Sequence, residues 1–437
     1  NYIDFLKLLI NEDKDEYKNL KSFKERRINK IQQGDKSSPY YRYCLADIYM
    51  QWALIKFKYD DYFGSGLDAK KAYRLLLNNQ KLFPSFIPNL KGLGLFHAGF
   101  GTAPDEAHWF MQLISLEGTV EQGISEMKKL VHLSFTNKEY SWLRIESLVL
   151  LTFMEMNLVS DNKKVVALKE IYEDKSMKEL MQTNPLLVFS YANMMMKTGN
   201  NDKAIEILLD CPKGNQYYTF DYINYLTGLA KFRRLDKDAY QYLFSYVLNY
   251  KGQNYIKSAY QKIAWFYLIN NQQEKYREYM NRVISYGSRY VDGDKQALKE
   301  AKSGNIPNIY LLKARVLFDG GYYEMAIKIL NSVPKEKITN NNRDKIEFTY
   351  RMGRIFHEWG KEDKAIPYYK ETIKNGIRYT YYFAANAALQ LGYINETAEN
   401  YELARYYYKK CLSMNFDEYK DSIQKKAKAG LNRIKFK

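Results

Sequence analysis

A twelve-residue step between small residues recurs along this sequence, and it restricts the possible folds more than any other feature. Four copies of the step are present: Ala192 to Ala204, Ala314 to Ala326, Gly353 to Ala365, and Gly392 to Ala404. In three copies a glycine stands seven residues after the first small residue: Gly199, Gly321 and Gly360. A tight turn between two antiparallel helices tolerates such a glycine, and small residues let the two helices approach closely. The pattern predicts repeated helix–turn–helix units in an all-α fold.

These segments have a small residue in the first helix, glycine and an aromatic residue at the turn, and alanine in the second helix. In these features they resemble tetratricopeptide (TPR) repeats. The clearest copies span residues 186–212, 308–334, 347–376 and 385–418. Segments near residues 221 and 258 keep the helix–turn–helix rhythm with fewer small residues. The resemblance implies a superhelical solenoid of helix pairs. A fold of this kind does not fix a function, because repeat arrays bind many different partners.

The three cysteines, Cys44, Cys211 and Cys411, are scattered, so the sequence predicts neither a disulfide framework nor a paired-cysteine metal site. Cys211 and Cys411 each follow the second small residue of a repeat by seven positions, where TPR repeats place another small residue. This position favours a packing role for both side chains.

The first 135 residues differ from the repeats in sequence, and we treat residues 1–135 as a divergent helical region preceding the repeats of residues 136–437. The stretch before Gly34 predicts one long helix or a helix pair. Ser38 is a suitable N-cap, and Pro39 suits a first helical turn. The stretch 287–309 is predicted to be an irregular connection, because it is rich in Gly, Ser, Asp and Asn. No convincing alternating strand pattern occurs in the sequence.

The densest glycine cluster lies in residues 92–130, GLGLFHAGFGTAPDEAHWFMQLISLEGTVEQGISEMKKL, and allows a phosphate-binding loop or a close helix contact. A phosphate loop needs a lysine followed by serine or threonine after its glycines, and none follows Gly101. We therefore interpret Gly92 and Gly94 as points of close approach. Gly99 and Gly101 are predicted to break that helix, and Thr119 to cap the helix that follows Gly118.

Residues 36–130 carry a second resemblance, to TPR proteins of the outer mitochondrial membrane linked to inclusion-body clearance and to uncharacterised exported bacterial TPR proteins. The residues that carry it are Pro88, Asn89, Lys91, Leu93, Gly94, Pro104, Trp109, Gly118 and Gly123. It implies no enzymatic activity. The bacterial relatives imply an exported protein in the periplasm or cell envelope, whose leader would precede Asn1.

The net charge of +17 raises the question of an anionic partner. The basic residues are dispersed in short clusters rather than gathered in a long tract. The 69 aromatic residues recur mostly at spacings of three to four, which favours helix packing over the stacking of nucleic-acid bases. Nucleic acid is therefore a disfavoured partner. The sequence contains no apolar run long enough to span a membrane.

The histidines and acidic residues lack the spacing of known catalytic and metal-binding motifs. His97, His108, His132 and His357 do not show zinc-binding spacing, and no serine-nucleophile elbow is present. The DGD sequence at residues 292–294 lacks the remaining ligands of a calcium loop. We predict no enzymatic activity, no metal and no cofactor.

The helices of a TPR array that carry the first small residue line a concave groove, where extended peptides bind. Side chains placed next to that small residue, or three before or four after it, are predicted to face the groove. The candidates are Asn193, Arg315, Tyr350, Arg354, His357 and Tyr393. Arg315 and Arg354 occupy the same position in adjacent repeats, so they could bind a carboxylate or acidic peptide together. The alternative is that both lie on a solvated face or pair with Asp319 and Glu358.

These observations predict a non-catalytic scaffold or adaptor that binds a protein or peptide partner through the concave TPR surface. The expected setting is a membrane-associated complex of the cell envelope. The alternative from another class is a basic surface protein that engages anionic lipid or nucleic acid. Binding of that second kind would be lost between low and moderate salt.

Overall fold

The computed structural model describes residues 1–101, 118–158, 167–338 and 341–435, and the regular structure of these residues is helical. Numbered in chain order, the helices of the first part are α1 Tyr2–Asn11, α2 Lys14–Leu20, α3 Phe23–Gln32, α4 Pro39–Lys58, α5 Tyr62–Leu82, α6 Asn89–Gly101, α7 Val120–Thr136, α8 Arg144–Leu158, α9 Lys169–Glu173 and α10 Lys175–Met181. A 3-10 helix, Lys138–Leu143, precedes α8.

The helices of the second part are α11 Pro185–Lys197, α12 Asn201–Leu209, α13 Tyr222–Arg233, α14 Ala239–Asn249, α15 Ile256–Ile269, α16 Gln273–Ser285, α17 Asp292–Ser303, α18 Ile309–Asp319, α19 Tyr323–Ser332, α20 Lys335–Ile338, α21 Asn342–Glu358, α22 Glu362–Gly376, α23 Tyr382–Thr397, α24 Tyr401–Ser413 and α25 Lys420–Arg433. The four clear repeats are the pairs α11–α12, α18–α19, α21–α22 and α23–α24. The two degraded segments are the pairs α13–α14 and α15–α16. The predicted helix–turn–helix units are confirmed.

The chain forms two compact units. The first comprises residues 1–230, 241–260 and 285–297, and the second comprises residues 231–240, 261–284 and 298–437. The boundary predicted after residue 135 lies within the first unit. The division of the chain after residue 135 stays a prediction made from the sequence.

The turn position seven residues after the first small residue is left-handed in all six helix pairs. Gly199, Gly321 and Gly360 occupy it with φ of 76°, 80° and 72°. The same position counted from Gly228, Ala264 and Gly392 is held by Leu235, Asn271 and Glu399, with φ of 65°, 59° and 59°. The register read from the clear repeats therefore extends to the degraded ones.

Exchanging the residues at two of these turns should shift local stability in opposite directions. Gly360→Ala should cost about 1 kcal/mol, because a Cβ there meets nothing within 4 Å and only the left-handed backbone is penalised. Glu399→Gly should stabilise its turn by about 0.5 kcal/mol, since relief of the same penalty exceeds the extra entropy of the unfolded glycine. Native-state hydrogen exchange of α21–α24 measures both changes. Equal effects of the same sign would contradict this assignment.

Close helix contacts explain the glycine cluster of the first unit. A Cβ on Gly92 would lie 2.5 Å from the Leu76 side chain, and one on Gly123 would lie 2.3 Å from the Gly94 carbonyl oxygen. The Thr119 side chain accepts a hydrogen bond from the Gln122 amide at 3.1 Å and caps α7. The interpretation of Gly92 and Gly94 as contact points is confirmed, and so is the predicted cap.

Three local predictions were wrong. Gly99 does not break its helix, because α6 continues to Gly101. The stretch before Gly34 forms three short helices, the second of which is capped by the Asp13 side chain. Residues 292–303, inside the predicted irregular connection, form α17. The Asp294 carboxylate there is buried and accepts hydrogen bonds from the amides of Tyr255 and Ser258 at 2.6 and 2.8 Å.

Pro104, His108 and Trp109, which the sequence analysis singled out, lie outside the described residues. Lys91, one of the residues that carry the second resemblance, has polar surroundings. Its side chain is 2% exposed, and its Nζ lies 2.6 Å from Asp47 Oδ1 and 3.1 Å from Glu146 Oε1. These contacts tie α4, α6 and α8 of the first unit together.

Candidate functional site

The side chains predicted to line a groove lie on the first helices of the repeats. Asn193 belongs to the first unit, and its side-chain amide donates to the Phe189 carbonyl oxygen at 2.8 Å. The other five belong to the second unit: Arg315 on α18, Tyr350, Arg354 and His357 on α21, and Tyr393 on α23. We call the half-buried Arg315, Arg354, His357 and Tyr393 the first-helix face.

Tyr350 is the most buried of the predicted groove residues, at 4% exposed. Its ring packs against Tyr382 and Phe383 in the core, with centroid separations of 5.6 and 5.2 Å. Tyr350 therefore packs in the core, and we do not include it in the first-helix face.

Arg354 has an acidic partner within its own helix. Its Nη2 lies 2.8 Å from Glu358 Oε1, and its guanidinium carbon lies 5.4 Å from the Phe318 ring centroid, on α18. The pairing with Glu358 weighed from the sequence is thus present. The ion pair leaves Nε buried without a hydrogen-bond partner, so part of the guanidinium is unsatisfied.

Arg315 differs from Arg354, because no ion pair or hydrogen bond joins it to any residue that the structure describes. Its guanidinium carbon lies 4.8 Å from the ring centroid of Trp265, on α15. A cation above an indole ring gains a favourable interaction with the ring quadrupole. The Arg315 guanidinium therefore contacts an aromatic ring, while Asp319 acts on it only from beyond ion-pair distance.

His357 and Tyr393 complete the first-helix face. His357 Nδ1 lies 3.2 Å from the Tyr369 hydroxyl, and burial lowers the pKa of this histidine below its usual value. The Tyr393 ring contacts Tyr408 edge-on at 5.8 Å. A neutral histidine and a tyrosine can exchange hydrogen bonds with a peptide backbone.

Sequence reasoning missed Lys262 and Trp265, which lie on α15 of a degraded repeat. Lys262 Nζ is 4.3 Å from the Trp265 ring centroid. Trp265 directly follows Ala264, as Arg315 follows Ala314 and Arg354 follows Gly353. The repeat register, applied to the degraded segment, would therefore have placed Trp265 beside the predicted groove.

The histidines and cysteines form no recognisable catalytic arrangement in the described ranges. His97 contacts Glu126 through Nδ1 at 2.7 Å and the Tyr73 hydroxyl through Nε2 at 3.3 Å. No group of three potential metal ligands occurs among the residues that the structure covers. Burial raises the pKa of Cys211 to about 11 and that of Cys411 to about 12, so both are thiols at neutral pH.

The family comparison supports the architecture seen in the second unit. The tetratricopeptide repeat family model matches residues 346–374 and 385–418, which are the pairs α21–α22 and α23–α24. A comparison with curated proteins found no match. The fold is an all-α, TPR-like solenoid of helix–turn–helix repeats. TPR repeats are in general modules of protein–protein interaction, and their fold is typically non-catalytic.

No described helix combines the length and apolar character needed to cross a membrane.

Proposed function

We propose that the protein is a non-catalytic adaptor that binds a segment of a partner protein along the first-helix face. The observation that carries the proposal is Arg315, a half-buried cation without a carboxylate partner among the described residues, in the repeat next to a TPR match. Arginine is enriched among the residues that dominate binding energy at protein interfaces, particularly where it stacks on aromatic rings.

The neighbouring side chains support an extended protein segment as the ligand. Arg354 supplies a second cation, and His357 and Tyr393 supply groups that can bond to a peptide backbone. We further propose a role in a cell-envelope complex. Support for that location is the resemblance of residues 36–130 to exported bacterial TPR proteins.

The proposal predicts that Arg315→Ala combined with Arg354→Ala weakens partner binding by about tenfold or more, since each change removes a cation of the first-helix face. Partners are isolated from the native host by mild crosslinking and identified by mass spectrometry. Affinity is then measured with the purified pair at low and moderate salt.

Arg282→Ala is the matched control. Arg282 pairs with Glu278 four residues away at 2.8 Å, as Arg354 pairs with Glu358, but it lies on the second helix α16. Retained affinity in the double variant would contradict the use of this face. Recovery of lipid or nucleic acid, with binding that disappears at moderate salt, would favour the charge-driven alternative.

A further inference from the structure

Two cations of the second unit share one indole ring. Lys262 Nζ and Arg315 Cζ lie 4.3 and 4.8 Å from the centroid of the Trp265 ring. Trp265 is only 2% exposed, whereas Lys262 and Arg315 are half-buried. The indole ring is therefore buried, and two partly exposed cations contact it.

The carboxylate of Glu300, which bonds to this indole, is occupied by neutral donors. Glu300 Oε1 accepts a hydrogen bond from Trp265 Nε1 at 2.7 Å, and Glu300 Oε2 accepts one from Gln261 Nε2 at 2.7 Å. Lys262 donates to the side-chain oxygen of Gln261 at 2.5 Å, which brings no negative charge. Glu300 thus fixes the indole and the glutamine but forms no ion pair with either cation.

Three other arginines of this unit are paired with carboxylates. Arg351 contacts Glu347 and Arg433 contacts Glu396, both at 2.7 Å, and Arg354 contacts Glu358 at 2.8 Å. Within the described ranges, no carboxylate lies within 4 Å of the charged groups of Lys262 or Arg315. Partly buried cations without such a partner pay a desolvation cost that a bound anion would offset.

Other charges act on Lys262 from beyond contact distance. The largest of these effects come from the cations Arg315 and Arg233 and from the carboxylates of Glu300 and Asp319. Burial, and then the Arg315 guanidinium, lower the pKa of Lys262 to about 8, so the ammonium group is poorly compensated.

We propose that Lys262 and Arg315, above the Trp265 ring, form a binding site for one carboxylate carried by an acidic residue of the partner protein. The planar guanidinium can hold both carboxylate oxygens, and the indole offers an apolar surface to the methylene groups of an aspartate or glutamate. The inference rests on the proposed adaptor function and names the chemistry of its partner.

The test uses the full chain with 5-fluorotryptophan in its five tryptophan positions, the Trp265 resonance being assigned by Trp265→Phe. Acetate, glutarate and inorganic phosphate are titrated at constant ionic strength, with chloride as the reference. The expected result is a saturable shift of the Trp265 resonance with both carboxylates. Arg315→Gln and Lys262→Gln should each weaken it about tenfold, the loss expected for one charge-assisted hydrogen bond.

Arg282→Gln should leave the titration unchanged, and Arg315→Lys should restore part of it, which separates loss of charge from loss of fold. A shift no larger than that with chloride, or one unaffected by both glutamine variants, would overturn the site. Phosphate binding tenfold tighter than glutarate would overturn the choice of ligand.

Isolation of the partner from the host distinguishes failure of this inference from failure of the proposed function. If carboxylates bind but no partner protein is captured, the adaptor function is contradicted and the carboxylate site is supported. If a partner is captured and binds Lys262→Gln as tightly as the native chain, the adaptor function is supported. The assigned carboxylate contact is then contradicted.

Discussion

Gly392→Val should unfold the C-terminal helix pair of the second unit, with a loss of about 3 kcal/mol or more. A Cβ at Gly392 would lie 2.3 Å from Tyr408 Cε1, and one at Gly430 would lie 2.5 Å from Tyr408 Cζ. The Tyr408 ring is fully buried, so it cannot move aside without opening the core. Its hydroxyl also donates to Glu396, which accepts hydrogen bonds from Arg433 at 2.7 and 2.8 Å.

Hydrogen exchange of α23, α24 and α25 measures this loss, and Gly66→Ala is the control. Gly66 lies within α5 with nothing within 4 Å of a Cβ, so alanine there should stabilise by about 0.5 to 1 kcal/mol. In a double-mutant cycle, Tyr408→Ala should remove most of the cost of Gly392→Ala, because the two groups collide directly. Additive effects would mean that the glycine has another role.

The second large effect is expected for Lys91→Met in the first unit. Lys91 is 2% exposed and contacts both Asp47 and Glu146, so its removal leaves two carboxylates without their cation. Breaking such a buried pair typically costs about 3–5 kcal/mol. Thermal unfolding should show the loss. Lys18→Met is the control, because Lys18 makes an exposed pair with Asp15.

The loss in Lys91→Met should shrink as the pH falls from 7 to about 5. Burial already raises the pKa of Glu146 with Lys91 present, and loss of the cation raises it further. A carboxyl group whose folded-state pKa lies above its unfolded value destabilises the fold at high pH, and protonation removes this penalty. A loss independent of pH would show that packing, and not charge, sets the role of Lys91.

The repeats could be predicted from the sequence because helix pairing leaves a local pattern. The twelve-residue step locates the helix pairs around Gly353 and Gly392, and it does so without any knowledge of long-range contacts. The same locality explains the correct N-caps at Ser38 and Thr119, whose side chains bond to amides two or three residues ahead.

The errors fall where distant residues decide the structure. Asp294 lies in a stretch that the sequence predicts to be irregular. Its carboxylate accepts hydrogen bonds from amides about 40 residues earlier, and such distant contacts leave no local pattern. Trp265 was overlooked because its repeat lacks the second small residue, Tyr276 standing twelve positions after Ala264. The sequence also does not show that Arg354 forms an ion pair and Arg315 does not, since both arginines follow a small residue in the same register.

The most direct test of the adaptor function is site-specific photocrosslinking in the native host. One variant carries p-azidophenylalanine in place of Tyr393 on the first-helix face, and the other carries it in place of Tyr406, an exposed residue of the second helix α24. The proposed function predicts a defined protein adduct from position 393 and not from position 406, and loss of that adduct with Arg315→Ala. Adducts of equal yield from both positions, or an adduct from position 406 alone, would contradict it.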